Sequence, residues 1–195
     1  SSCIIRHFEH YAELGPEEKE LLASLEKAPK SFPKGSLVWQ QGMDSDYFFT
    51  VHSGWACSLR NMENGSRQVL DFYVPGDVIG LREFAFRRRI SNMMTITDAI
   101  LCPFPKQHLT DLFARSRLLC NLFFMMAARD QAILIERLIN LGRRSAREKV
   151  AHFLLEMAHR LDKACADIAD CNHLPLTQVL MADALGLSTV HVNRT

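Results

Sequence analysis

The end of the chain carries polar and charged side chains at spacings suited to contact with a nucleic acid. In a helix that begins at Ser188, Val192 would pack inward and the neighbouring side chains would face outward. Arg194, on the outward side, can form two hydrogen bonds to a guanine edge or pair with a phosphate. We expect the following residues at this surface: Thr177, Gln178, Ser188, Thr189, Val190, Asn193 and Arg194.

The residue order of this segment is typical of a helix-turn-helix. Thr177 can cap a first helix, and Ala182 is small where a second helix must cross closely. Gly186 can end the first helix with a positive φ, Leu187 can fill the core beneath the turn, and Ser188 can cap the second helix. In this motif the second helix enters the major groove of DNA. An ordinary pair of packed helices is the alternative.

Before this motif, a long helical pattern predicts self-association. The residues that repeat alternately four and three apart are Leu112, Ser116, Leu119, Phe123, Met126, Asp130, Ile133 and Arg137. This repeat is a heptad seam, so we expect one dimerisation helix over residues 107–142, with these side chains in the interface of a parallel homodimer. Part of the seam can instead pack on the same chain. A further amphipathic helix is expected over 145–161.

Residues 31–106 have the pattern of a small β-domain. Short runs rich in Val, Phe, Thr and Tyr alternate with turn residues. Asn64-Gly65 favours a hairpin between strands at 55–61 and 68–73, because both turn positions need a positive φ. Many short strands at this spacing predict a β-barrel or jelly roll.

Segments of helical character flank the β-domain. Residues 1–30 precede it and contain a short helix from Gly15 to Leu25. Pro103 and Pro105 mark the exit from the domain, because proline lacks the N–H that pairs strands. Residues 143–195 then form the domain that contains the helix-turn-helix.

Over nearly its whole length the chain resembles the CRP/FNR family of bacterial transcription regulators. The landmarks are Lys34-Gly35, Gly42, Asp46, Ser53-Gly54, Asn64-Gly65, Pro75-Gly76-Asp77, Ile79-Gly80 and the segment 177–194. The resemblance implies an α+β fold: a cyclic-nucleotide-binding-like β jelly roll as sensor, a long dimerisation helix and a C-terminal winged helix-turn-helix. The wing would follow Thr195, so we expect a truncated DNA-binding domain. The implied partners are double-stranded DNA with a palindromic site, a second copy of the chain and RNA polymerase.

The resemblance also places a ligand loop in the sensor domain, with pocket candidates Gly80, Leu81, Arg82, Ile90 and Ser91. Family members that bind cyclic nucleotides carry a Gly-Glu pair, whose Glu accepts from the ribose, and an Arg-Ser pair, whose Arg neutralises the phosphate. This sequence has Gly80-Leu81 and Ile90-Ser91 instead. Leucine cannot accept a hydrogen bond and isoleucine carries no charge, so burying a phosphate against them would be costly. We predict that cyclic AMP does not bind.

Other sensor chemistries have few candidate residues. Arg87–Arg89 are expected in a solvated loop, with binding of another anion as the alternative. The iron–sulfur branch of the family uses an N-terminal cysteine cluster, of which only Cys3 is present, and the cysteines contain no C-x-x-C pair. They are expected as free, mostly buried thiols. Haem on His7, His10 or His52 is a further alternative, but no cofactor is predicted.

Competing function classes lack the residues that they need. A metal-dependent jelly-roll enzyme requires a His-x-His pair, and the sequence contains none, so we predict no enzymatic activity. The helix-turn-helix pattern disfavours a cyclic-nucleotide module without DNA binding. If Thr195 is the natural end of the chain, a dimeric regulator impaired in DNA binding is the alternative. No apolar run is long enough to suggest a membrane span, so we expect a cytoplasmic protein.

Overall fold

A computed structural model describes residues 2–164 and 174–195. The helices are α1 (Cys3–Glu9), α2 (Pro16–Ala23), α3 (Lys106–Arg115), α4 (Arg117–Arg143), α5 (Ala146–Ala164), α6 (Gln178–Leu185) and α7 (Thr189–Arg194). The strands are β1 (Lys30–Phe32), β2 (Leu37–Trp39), β3 (Tyr47–Ser53), β4 (Ala56–Asn61), β5 (Arg67–Tyr73), β6 (Val78–Ile79), β7 (Asn92–Thr95) and β8 (Ala99–Pro105). Short 3₁₀ turns lie at Ser24–Glu26 and Leu81–Glu83. This order confirms the predicted α+β architecture.

The β-domain consists of two antiparallel sheets that enclose an apolar interior. Their strand orders are β1-β8-β3-β6 and β2-β7-β4-β5. The interior draws on both sheets and contains Trp39, Val51, Ala56, Ile79, Met93, Ala99 and Leu101. The predicted hairpin is present, because β4 and β5 pair as far as Asn61 and Arg67. Of the two turn positions expected to have a positive φ, only Gly65 does, at 81°, whereas Asn64 does not.

Both prolines at the end of the domain lie inside β8 rather than beyond it. Pro103 pairs with Phe49 of β3, and Pro105 pairs with Tyr47. The other neighbour of β8, strand β1, reaches only to Leu101. Beyond that point one side of β8 is an edge, so the missing N–H groups interrupt no ladder.

The amino-terminal helices cover one side of the β-domain. The helix α1, which the sequence analysis did not identify, buries Ile4 and Phe8 completely. The rings of Phe8 and Phe123 lie 4.8 Å apart between centroids, which joins α1 to α4. Other members of this cluster are Leu21, Leu22, Leu25, Leu109, Leu112, Leu119 and Leu122. The helix predicted from Gly15 to Leu25 is α2, which begins at Pro16 and is followed by the 3₁₀ turn Ser24–Glu26.

The helix predicted over 107–142 is interrupted at Ser116. The backbone there is extended, with φ −129° and ψ 111°, so α3 ends and α4 begins. The Ser116 hydroxyl accepts a hydrogen bond from the Leu119 amide at 3.2 Å and donates one to Glu18 at 3.1 Å. The serine therefore caps a second helix. The heptad positions continue across this cap, which is why the repeat suggested a single helix.

The C-terminal helices pack against the face of the β4–β5 hairpin that points away from the barrel interior. This cluster contains Trp55, Cys57, Leu59, Val69 and Phe72 from the β-domain, and Phe153, Met157, Leu180 and Leu185 from α5 and α6. The rings of Phe72 and Phe153 are 5.5 Å apart between centroids. The domain that carries the helix-turn-helix is thus docked directly on the β-domain.

The cysteines that the structure describes are free thiols, as expected. Cys57 and Cys102 are buried, whereas Cys3 is half-buried and Cys120 is exposed. Burial raises the pKa of the Cys57 thiol to about 12, so this thiol stays protonated and unreactive. Cys165 and Cys171 lie outside the described residues.

Candidate nucleic-acid interface and sensor loop

Two capped helices, α6 and α7, form the predicted helix-turn-helix. Thr177 Oγ1 accepts a hydrogen bond from the Leu180 amide at 3.2 Å. Ser188 Oγ accepts one from the His191 amide, also at 3.2 Å. Gly186 ends α6 with φ 60° and ψ 36°, a conformation that favours glycine. Both predicted caps and the turn glycine are confirmed.

The residues expected to contact DNA are all exposed: Thr177, Gln178, Ser188, Thr189, Val190, Asn193 and Arg194. Val192 is buried, so α7 turns its opposite side to solvent. Gln178 Nε2 donates a hydrogen bond to Asn193 Oδ1 at 3.1 Å, which joins the start of α6 to the end of α7. His191 is also exposed on α7, although the sequence analysis did not include it.

The start of β5 anchors this motif to the β-domain. Arg67 reaches Asp183 of α6 through Nε at 2.8 Å and through Nη2 at 2.6 Å. The neighbouring Gln68 donates from Nε2 to the carbonyl of Ala184 at 3.2 Å. These contacts leave no signal in the sequence, because the partners are distant in the chain and no local pattern connects them.

A buried carboxylate, Asp71 of β5, collects arginines from three parts of the molecule. Arg82 comes from the predicted ligand loop, Arg137 from α4 at 2.9 Å and Arg160 from α5 at 3.1 Å. Burial alone would raise the pKa of Asp71, but the charges of Arg160, Arg137 and Arg82 hold it well below its usual range. Glu156 of α5 accepts from Arg137 at 2.5 Å and extends the network.

The predicted ligand loop, residues 80–91 between β6 and β7 and here also called the sensor loop, surrounds only a small cavity. The lining residues are Gly80, Arg82, Ile90 and Ser91 of the predicted set, together with Trp39, Ser58, Leu70, Tyr73, Glu83 and Met93. Leu81 instead packs against the cluster formed by the amino-terminal helices. The cavity volume is about 40 Å³, whereas pockets for drug-sized ligands measure roughly 300–1,000 Å³.

The arginines of this loop have different environments. Arg87 and Arg88 are exposed, as expected for a solvated loop. Arg89 is only 4% exposed, and its Nη1 lies 2.8 Å from Glu83 Oε2. The expectation of a solvated loop is therefore wrong for Arg89, because an internal carboxylate compensates for the burial of its charge.

The predicted dimer seam faces mostly its own chain. Leu112, Ser116, Leu119 and Phe123 are buried beneath the amino-terminal helices. Their assignment to an interface between copies is therefore corrected, since a heptad repeat marks a side that becomes buried without identifying what covers it.

The lower half of the predicted seam is also engaged within the chain. Arg137 pairs with Asp71 and Glu156, and Asp130 lies 3.7 Å from Arg82. Met126 and Ile133 are half-buried and line a cavity of about 70 Å³ between α1, β5 and α4. The large apolar residues that α4 leaves exposed are instead Phe124, Met125, Leu134, Ile135, Leu138 and Ile139.

Two of the three histidines considered for haem have carboxylate neighbours. His7 Nδ1 lies 4.0 Å from Asp77, and His52 Nδ1 lies 3.9 Å from Glu26. Over residues 2–164 and 174–195, His, Cys, Asp and Glu side chains form no cluster suited to hold a metal ion.

Two protein-family models match the chain, one over the β-domain and one over the helix-turn-helix. Residues 29–116 match the cyclic nucleotide-binding domain, and residues 148–195 match the Crp-like helix-turn-helix domain. The chain is 30% identical to the transcriptional activator protein FnrL of Cereibacter sphaeroides, over 98% of this chain and 77% of FnrL. It is 31% identical to the nitrogen fixation regulation protein FixK of Bradyrhizobium diazoefficiens, over 84% of this chain and 68% of FixK.

A solved structure supports the same relationship. FixK2 from Bradyrhizobium japonicum matches with a TM-score of 0.75 and 26% identity, covering 86% of this chain and 81% of FixK2. These relatives are transcription regulators, and the geometry of α6 and α7 is that of a DNA-binding motif. The chain therefore belongs to the CRP/FNR family and is a DNA-binding transcription regulator.

Proposed function

We propose that the protein is a homodimer that reads a palindromic DNA site with the α7 helices of its two copies. CRP/FNR regulators bind DNA through the helix-turn-helix and act as dimers. The observation that carries the proposal is that α7 is capped and packed on α6 while its expected contact residues remain exposed. Two-fold symmetry would present the two helices to half-sites about 34 Å apart, one helical turn of DNA.

Each exposed group has a distinct role in this proposal. Arg194 supplies the charge for a guanine edge or a phosphate, and Val190 offers methyl groups to a thymine. The hydroxyls of Thr177 and Ser188 accept from the helix amides, so their hydrogens remain available for phosphate oxygens. Asn193, already oriented by Gln178, can present its amide to a base edge.

The exposed apolar face of α4 is proposed as the dimer interface. Phe124 and Leu138 are 76% and 70% exposed, which is costly for side chains of this size in water. Contrary to the expectation from the sequence, α4 is by length and composition apolar enough to cross a membrane. However, three of its charged residues are engaged within the chain, since Arg129 contacts Tyr11, and Asp130 and Arg137 join the Asp71 network. This arrangement favours a protein partner over lipid.

The sensor domain is proposed to act without cyclic AMP, because Leu81 and Ile90 supply neither of the groups that hold the nucleotide and the cavity beside them is small. FnrL is a transcriptional activator, so we propose RNA polymerase as a further partner, on DNA in the cytoplasm.

The proposed function is tested by selecting bound duplexes from a random pool with the full-length protein at fixed salt. A palindrome should be enriched. Arg194→Ala should lose about 1–3 kcal/mol of binding and relax preference at one base pair if Arg194 contacts guanine. If it contacts phosphate, all sequences should lose affinity equally, with a weaker salt dependence. Arg88→Ala, at an exposed arginine of the sensor loop, is the matched control. Absence of any palindrome, together with an unaffected Arg194→Ala protein, would contradict the proposal.

A further inference from the structure

The carboxylate of Glu83 occupies the centre of the sensor loop. Glu83 is 3% exposed and ends the 3₁₀ turn Leu81–Glu83. Its Oε2 accepts a hydrogen bond from Arg89 Nη1 at 2.8 Å. Its Oε1 accepts from the Ile90 amide at 3.1 Å and from the Ser91 hydroxyl at 3.3 Å. A guanidinium, a main-chain amide and a hydroxyl, all from consecutive residues, therefore converge on one carboxylate.

The arginine of this cluster is held by contacts that do not involve Glu83. The Arg89 amide donates to the Met43 carbonyl at 2.7 Å, and the Gly42 amide donates to the Arg89 carbonyl at 2.8 Å. The guanidinium lies 3.9 Å from the centre of the Trp39 ring, and its Nη2 contacts the Tyr47 carbonyl. These contacts hold the Arg89 guanidinium in place independently of Glu83.

The backbone at Gly80 brings Glu83 to these donors. Gly80 has a φ of 110°, and a Cβ added there would lie 2.5 Å from a ring carbon of Phe48. This position therefore requires glycine. The Glu83 amide donates to the Gly80 carbonyl at 2.8 Å, which closes the turn. The turn that glycine permits at position 80 therefore places the Glu83 side chain beside these donors.

We propose that Glu83 is an internal ligand of the sensor domain, and that its carboxylate fills an anion site formed by Arg89, Ile90 and Ser91. The donors have the chemistry that holds a carboxylate or phosphate: a cation for charge, and an amide and a hydroxyl for orientation. While Glu83 is present, a second anion would face a carboxylate at close range on a single buried cation, which disfavours binding. The loop is therefore closed without a small molecule.

Removal of the Glu83 side chain tests this proposal, because it should leave an empty site for a small carboxylate. Glu83→Ala should lower the Tm by about 10 °C, since it leaves a buried arginine without its anion. Sodium formate should restore part of the loss with a saturable dependence on concentration, since a ligand that binds only the folded state stabilises it. Sodium chloride at equal ionic strength should not.

Three further variants serve as controls for the formate experiment. Glu83→Gln keeps the site filled with an amide, so formate should not raise its Tm. Glu83→Ala combined with Arg89→Met removes the cation, so formate rescue should disappear. Glu63→Ala, at an exposed glutamate of the β4–β5 turn, should show neither the loss nor the rescue. If Glu83→Ala is insoluble, it should become soluble when refolded in formate.

The proposal is overturned if Glu83→Ala keeps the wild-type Tm, or if formate and chloride act alike on it. Insolubility in both salts would also overturn it. These measurements require neither DNA nor a second copy of the chain, so their outcome is independent of the proposed DNA-binding function.

Discussion

Asp71 of β5 and Arg160 of α5 form a buried ion pair of 3.1 Å that joins the β-domain to the domain carrying the helix-turn-helix. Arg160 also donates from Nη1 to the Phe72 carbonyl at 2.7 Å. Arg137 of α4 meets the same carboxylate at 2.9 Å. The sensor, the long helix and the C-terminal domain are therefore connected through one side chain.

Asp71→Asn should strongly destabilise the protein. The substitution leaves Arg82, Arg137 and Arg160 around a neutral amide, and breaking a buried ion pair from one side costs about 3–5 kcal/mol. Unfolding in urea, monitored by circular dichroism, measures the loss. Asp111→Asn, at an exposed carboxylate of α3, is the matched control and should change little. An unchanged midpoint for Asp71→Asn would show that the network does not stabilise the docked arrangement.

Asp77 should make stability fall as the pH rises. Burial raises the pKa of Asp77 from 3.8 to about 6, against the opposing charge of Arg160 and the Val74 amide. At this carboxyl the folded state therefore binds more protons than the unfolded state between these values, so the contribution of Asp77 to stability decreases from about pH 4 to pH 6 and is then constant. His7, Asp71 and Arg82 also face this carboxyl.

Asp77→Asn should remove this pH dependence. Its free energy of unfolding relative to wild type should rise between pH 4 and pH 7, by at most about 3 kcal/mol. Urea unfolding at several pH values checks the result, and Asp111→Asn again controls for the loss of one negative charge. A difference between Asp77→Asn and wild type that stays constant with pH would refute the assignment.

Phe124→Glu combined with Leu138→Glu should give folded monomers. Both side chains lie on the exposed face of α4, and an interface of about 1,600 Å² would not tolerate two buried, unpaired carboxylates. Sedimentation velocity reports the mass, and circular dichroism reports folding. Met62→Glu, at an exposed apolar residue in the β4–β5 turn, should remain dimeric. Persistent dimers of the double variant would place the interface elsewhere.

Cyclic AMP should produce no binding heat in calorimetry with the wild-type protein. The reason is that Leu81 and Ile90 offer no partner to the ribose or phosphate, and Glu83 already holds Arg89. Binding in the micromolar range would contradict this expectation. So would cyclic nucleotide recovered from the purified protein by extraction and mass spectrometry.

Features that depend on neighbouring residues in the chain could be predicted from the sequence alone. The caps at Thr177 and Ser188 and the turn at Gly186 were correctly predicted, because a cap bonds an amide only three residues away and a positive φ favours one residue type. The hairpin at Asn64-Gly65 was found because Gly65 needs a positive φ, although Asn64, which was expected to share it, does not. Such local interactions do not depend on the tertiary structure.

Contacts between groups that are distant in the chain depend on tertiary packing and could not be predicted from the sequence. The periodicity of 112–137 correctly indicated a side that becomes buried, but the amino-terminal helices cover Leu119 and Phe123, and the exposed apolar face lies at Phe124 and Leu138. The partners of Asp71 come from three distant segments, and Glu83 meets Arg89 only because Gly80 turns the loop. Burial and charge pairing depend on three-dimensional packing. A sequence pattern indicates which side chains become buried, but it does not identify the residues that cover them.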